Sequence, residues 1–68
     1  MKKIKIKTEY IKLDDFLKFT GVAQTGGHAK LLIKNGEVLV DGEVCLMRGK
    51  KCRVGNIIKF EDKEFVII

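Results

Sequence analysis

The chain has 68 residues, no proline and 34% charged positions, which leaves room for one domain around one modest core; a chain this short buries only about 60% of its unfolded surface. The apolar fraction is an ordinary 46%, and no segment approaches the roughly 18 uninterrupted apolar residues that mark a membrane span. A net charge of +5 excludes little by itself but biases the chain toward polyanionic partners.

Lys3 to Thr8 alternates polar and apolar, with Ile4 and Ile6 on one side and Lys3, Lys5 and Lys7 on the other, so a half-buried strand with a basic outer face is expected over 3–8. The start is charged like that of a signal peptide. Lys5, Lys7 and Glu9 nevertheless break any apolar stretch behind it, and the expectation is a soluble, cytoplasmic protein. From Leu13 the period changes: Leu13, Phe16 and Leu17 fall on one helical face, and Asp14 and Asp15 occupy the first turn, where carboxylates favour the positive dipole end. Gly21 ends this helix. After Val22-Ala23-Gln24, Thr25 is placed to cap a second helix running to about Asn35, with Ala29, Leu32 and Ile33 as its buried stripe and Gly36 closing it in a left-handed conformation.

Beyond Gly36 the period is two. Val38 and Val40, the pair Asp41-Gly42, and Glu43-Val44 predict a hairpin, because Asp-Gly tolerates the positive φ values of a two-residue turn. Residues 47–56 carry two glycines, four cations and little periodicity, and are expected to form an exposed connection. Ile57–Glu61 and Glu64–Ile68 then read as two further strands around Asp62-Lys63, with Ile58, Phe60, Phe65 and Ile67 in the core. The aromatic residues Tyr10, Phe16, Phe19, Phe60 and Phe65 are mostly at core-like positions.

Cys45 and Cys52 have only His28 as a companion, which does not match the paired-ligand spacing of a structural zinc site, and two cysteines in a cytosolic chain are expected to be reduced. Cys45 suits a small buried apolar position on its strand. His28 has no Ser, Cys or carboxylate at a relay spacing, and Asp14 and Asp15 suit helix-start electrostatics. No enzyme, metal or cofactor is therefore expected.

Charge is unevenly placed. Residues 1–12, with Lys12 at the end, and residues 46–53, with Arg48, Lys50, Lys51 and Arg53, each contribute +4, while everything else sums to −3. Gly26-Gly27 opens the second helix, whose unpaired amides and dipole favour an anion, and the missing side chains let a phosphate approach. Lys30 and Lys34 fall one turn apart on the same face, and Lys18 of the first helix is a further candidate cation nearby.

Leu13-Asp14-x-x-Leu17, Gly21-Val22-Ala23, the run Thr25-x-x-x-Ala29-x-x-Leu32-Ile33-x-x-Gly36-x-Val38-x-Val40-Asp41-Gly42, and Val54-Gly55-Asn56-x-Ile58 together resemble the S4-type RNA-binding domain, named after a small-subunit ribosomal protein. The module also occurs in pseudouridine synthases and tyrosyl-tRNA synthetases. The likeness covers about residues 11–61, and the double glycine with the Arg48-Gly49-Lys50-Lys51 loop is similar to a stand-alone bacterial subfamily of RNA-binding proteins, some linked to the ribosome. It implies an α+β fold in which two antiparallel helices pack on a small, strongly bent, mainly antiparallel sheet, the alpha-L motif, with the RNA surface built from both helices and the adjacent hairpin and loop. The whole of 1–68 is then one RNA-binding domain, flanked by strands 3–8 and 64–68.

By resemblance, Lys12 matches the basic residue before Leu13-Asp14, Thr25 the usual serine cap, and Lys30 the basic position after Ala29. Many members carry phosphate-contacting arginines where this chain has Gly26 and Gly27, which moves the expected contact toward Arg48, Lys50, Lys51 and Arg53. The expected RNA surface is thus Lys12, Lys18, Thr25, Gly26, Gly27, His28, Lys30, Lys34, Arg48, Lys50, Lys51 and Arg53. The expected partner is structured RNA, ribosomal or tRNA-like, on or off a ribosomal particle, bound by a monomer through phosphates and A-form shape with low sequence specificity. No small-molecule substrate or membrane is implied. The alternatives are a DNA-binding helix-turn-helix-like module, for which His28, Lys30 and Lys34 are poor equipment to read base edges, and a ribosome assembly or protein-interaction factor.

Overall fold

The computed structural model describes residues 1–68. Its elements run β1 (Lys2–Ile4), β2 (Ile11–Lys12), α1 (Leu13–Phe19), α2 (Gly26–Lys34), β3 (Val38–Val40), β4 (Glu43–Val44), β5 (Lys51–Cys52), β6 (Ile57–Phe60) and β7 (Lys63–Ile67). Five strands form one sheet in the order β1-β7-β6-β3-β4, and β2 pairs with β5 in a separate two-stranded ladder. All pairings are antiparallel except that of β1 with β7. The architecture is α+β, with two helices on a mixed, mostly antiparallel sheet, and no helix is long and apolar enough to cross a membrane.

Helix α1 presents Leu13, Phe16 and Leu17 to the core at the i, i+3, i+4 spacing of a buried helical face. Thr20 stops it by donating from Oγ1 to the Phe16 carbonyl at 3.0 Å, and Gly21 then takes φ +83°. Helix α2 buries Ala29, Leu32 and Ile33 and ends in a paired closure: the Gly36 amide donates to the Ile33 carbonyl and the Glu37 amide to that of Leu32, with Gly36 at φ +74°. The two helices pack on each other and on a core completed by Val38, Val40, Ile58, Phe60, Phe65 and Ile67, in which Phe16 meets Phe65 edge to face at 5.7 Å.

The Asp41-Gly42 turn forms as its sequence predicts, with φ of 53° and 86°. Asp41 does more than turn: its carboxylate accepts from the Ile57 amide at 2.9 Å and the Asn56 side-chain amide at 2.7 Å, tying the hairpin to the start of β6. Four expectations are corrected. Residues 47–56 are not merely an exposed connection, because Lys51–Cys52 is a strand and Cys52 is completely buried. The first strand ends at Ile4 instead of Thr8, although the Ile6 amide still donates to the Ile68 carbonyl at 3.2 Å. The last turn is Glu61-Asp62, since Phe60 pairs with Lys63 and Glu61 adopts φ +56°. Phe19 is 65% exposed, because it lies outside the Leu13/Phe16/Leu17 face.

Candidate nucleic-acid interface

Helix α2 begins as Thr25 requires. Its backbone is extended and its Oγ1 accepts from the His28 amide at 3.0 Å. That leaves the first-turn amides of Gly26 and Gly27 without an intrahelical acceptor, at an end with no acidic residue and with open space where a Gly26 side chain would project. His28 is turned back on the chain, its Nδ1 accepting from the Gln24 amide at 3.3 Å, so in the neutral ring the proton sits on Nε2.

The start of α1 is built differently. Lys12, at its N-cap, makes no side-chain cap, and the orphan amides of Leu13 and Asp14 donate instead to the carbonyls of Lys50 (2.9 Å) and Arg48 (3.0 Å). The basic loop is therefore the cap of the first helix. Its backbone is fixed while the side chains of Arg48, Lys50 and Lys51 remain exposed. A turn with the Lys50 amide on the Met47 carbonyl, at 3.1 Å, holds the loop's other side.

From this anchored loop, cations extend in two directions. Toward α2, Arg48 joins Lys30 and Lys34 around a shallow concavity of about 280 Å³ floored by Ile33 and Leu46. Toward the small ladder, Lys12 and Lys51 are directly opposed in the β2–β5 register. Like charges so placed destabilise the free ladder. Tyr10 lies beneath this group, with Lys51 Nζ 5.0 Å and the Arg53 guanidinium 5.4 Å from its ring centre.

Two of the sequence-predicted cations have partners: Lys18 pairs with Asp15 at 3.3 Å and Arg53 with Glu9 at 3.2 Å. Lys12, Lys30, Lys34, Arg48, Lys50 and Lys51 have none. The cations gather along the flank of α2 and over the loop, with Lys30 ~6 Å and Lys34 ~12 Å along the axis from the glycine end. Sequence reasoning missed Tyr10, Ile33 and Leu46 at this surface. The signal for Tyr10 was available only through the β2–β5 pairing, which two residues flanked by lysine and arginine do not announce.

Burial, reinforced by neighbouring Cys45, pushes the Cys52 thiol up to about 11. Both cysteines are free, with Cys45 only partly buried. Cys52 holds β5 to the core while its strand neighbour Lys51 faces solvent.

The sequence pattern of the family described as the S4 domain matches residues 4–68. A Bacillus subtilis (strain 168) protein described as the probable ribosome maturation protein RlbA is 45% identical over 58 residues, which span 85% of this chain and 82% of that protein. The solution structure of YbcJ from E. coli, described as revealing an alpha-L motif involved in RNA-binding, superposes with a TM-score of 0.74 at 29% identity, covering 100% of this chain and 87% of that one.

Proposed function

Because the chain belongs to the S4 domain family, we propose that it is a non-enzymatic, monomeric module that binds structured RNA through phosphate and shape contacts. The observation that carries this reading is the set of cations without carboxylate partners, Lys12 opposed to Lys51 and Lys30 and Lys34 beside Arg48, held on fixed backbone. Opposed lysines are unfavourable until an anion lies between them. Two such sites bridged by one loop suit a ligand with phosphates at regular spacing. A-form RNA provides this, together with a wide, shallow minor groove that needs no base readout.

The target class comes from the relatives. One is described as a ribosome maturation protein and the other as carrying a motif involved in RNA-binding, so ribosomal RNA within a cytoplasmic particle is the partner this reading favours. Thr25, Gly26, Gly27 and His28 contribute the amide end of α2, while Lys18 and Arg53, already paired, contribute less to the charge a phosphate meets. No nucleophile–base pair accompanies the surface, and the His28 Nδ1 is occupied by a backbone amide.

The test is a competition between a folded ribosomal RNA fragment and duplex DNA of equal charge, repeated across salt concentrations with wild type and the Lys50→Ala/Lys51→Ala variant. RNA should win. The variant should bind more weakly and flatten the log K against log salt slope by about 0.7–0.9 for each phosphate it no longer neutralises. Preference for DNA, or an unchanged slope, would overturn the reading.

A further inference from the structure

Phe19 is the one aromatic ring left largely exposed, at 65%, and it borders a concavity of about 470 Å³ that it shares with Ile6, Ile11, Thr8, Lys5 and Lys7. This volume falls in the range of small-ligand sites, roughly 300–1,000 Å³. We propose that this concavity binds a single unstacked nucleotide, its base laid against Phe19, Ile6 and Ile11 and its phosphate held by Lys5 and Lys7.

The backbone that carries the walls is held independently of any ligand. Ile6 is held by the hydrogen bond its amide donates to the Ile68 carbonyl, Ile11 by the ladder opposite Cys52, and the Phe19 backbone by a helix whose Phe16 and Leu17 are in the core. Thr8 shapes the rim by donating from Oγ1 to the Tyr10 carbonyl at 2.8 Å. The electrostatics are equally specific: no acid lines the site, the nearby Glu9 is paired with Arg53, and neither Lys5 nor Lys7 has a carboxylate partner. An aromatic face beside apolar walls with cations at the rim matches the two halves of a nucleotide, a π-face and an anion. The other largely apolar concavity, about 440 Å³ beside Val44, Leu46 and Met47, is bordered by Asp41 and Glu43 as well as Lys50, and so lacks the uniformly cationic rim a phosphate needs.

This site rests on the RNA-binding reading but does not include the residues assigned to that surface, so the two can fail separately. A uridine trinucleotide, too short to form structure, is titrated into the labelled protein by NMR, and a folded RNA hairpin is titrated in parallel. The trinucleotide should shift the Phe19 ring and the Ile6 and Ile11 methyls. Phe19→Ala should weaken it roughly tenfold, or about 1.4 kcal/mol, as expected for the loss of one stacking partner, Phe19→Tyr should retain it, and hairpin affinity should be unchanged in both. Because Phe19 is exposed, the alanine variant is expected to fold. Hairpin binding with no trinucleotide response at Phe19, or Phe19-dependent capture of an acidic aromatic peptide in place of the trinucleotide, overturns the site alone. Failure of both RNAs to bind overturns both readings.

Discussion

Lys12 and Lys51 face each other across the β2–β5 ladder, an arrangement that the free protein tolerates and an RNA-bound one would exploit. Lys12→Gln should therefore leave the thermal midpoint unchanged or raise it while lowering RNA affinity, opposite signs that thermal melting and anisotropy titration can read separately. Loss of stability with unchanged affinity would assign Lys12 a structural role. Lys51 is less clean for this purpose, because it also lies over Tyr10. Cys52 offers a second test. Its thiol is held neutral to about 11, against a usual 9.0, so the unfolded chain loses its proton first as pH rises. Stability is then full below the unfolded value and falls through the window from 9.0 to about 11, with a slope of up to about 1.4 kcal/mol per pH unit from this group. Urea denaturation of wild type and Cys52→Ala across that window should show the steeper loss in wild type; parallel slopes would contradict the burial argument.

The helices and the Asp41-Gly42 hairpin were legible because each carries its own punctuation: Thr25 caps, Gly36 closes, and Leu13, Phe16 and Leu17 keep one period. Thr25→Ala should cost about 1 kcal/mol and Thr25→Ser much less, measured by chemical denaturation. Phe16, fully buried against Phe65, is a harsher case. Phe16→Ala should cost about 3–5 kcal/mol, a large share of a total on the order of 3–10 kcal/mol for a domain this size, and thermal melting followed by circular dichroism should show a strongly lowered midpoint. The β5 strand was not legible. Two residues between cations have no period to read, and Cys52 gains its place only from a partner, Ile11, far away in sequence. For the same reason the capping of α1 by the Arg48 and Lys50 carbonyls is a tertiary fact with no local motif.

Seen whole, the molecule separates its charges. The stretch from Glu37 to Met47 holds Glu37, Asp41 and Glu43 without a cation, and Arg48 to Arg53 follow with no acid. The sequence exposed this segregation but not its geometry. Lys30 and Lys34 line the flank of α2, where Arg48 meets them on a loop whose backbone is tied to the start of α1. That tie joins the α2 flank to the β2–β5 ladder, and the claim that they act as one RNA surface is tested most directly by amide shift mapping of the labelled protein with a folded ribosomal RNA fragment. Perturbations should run contiguously over Lys12, residues 25–34 and residues 48–53, weakening together as salt rises. Perturbations confined to the β6–β7 strands and the acidic hairpin, or shifts indifferent to salt, would contradict it.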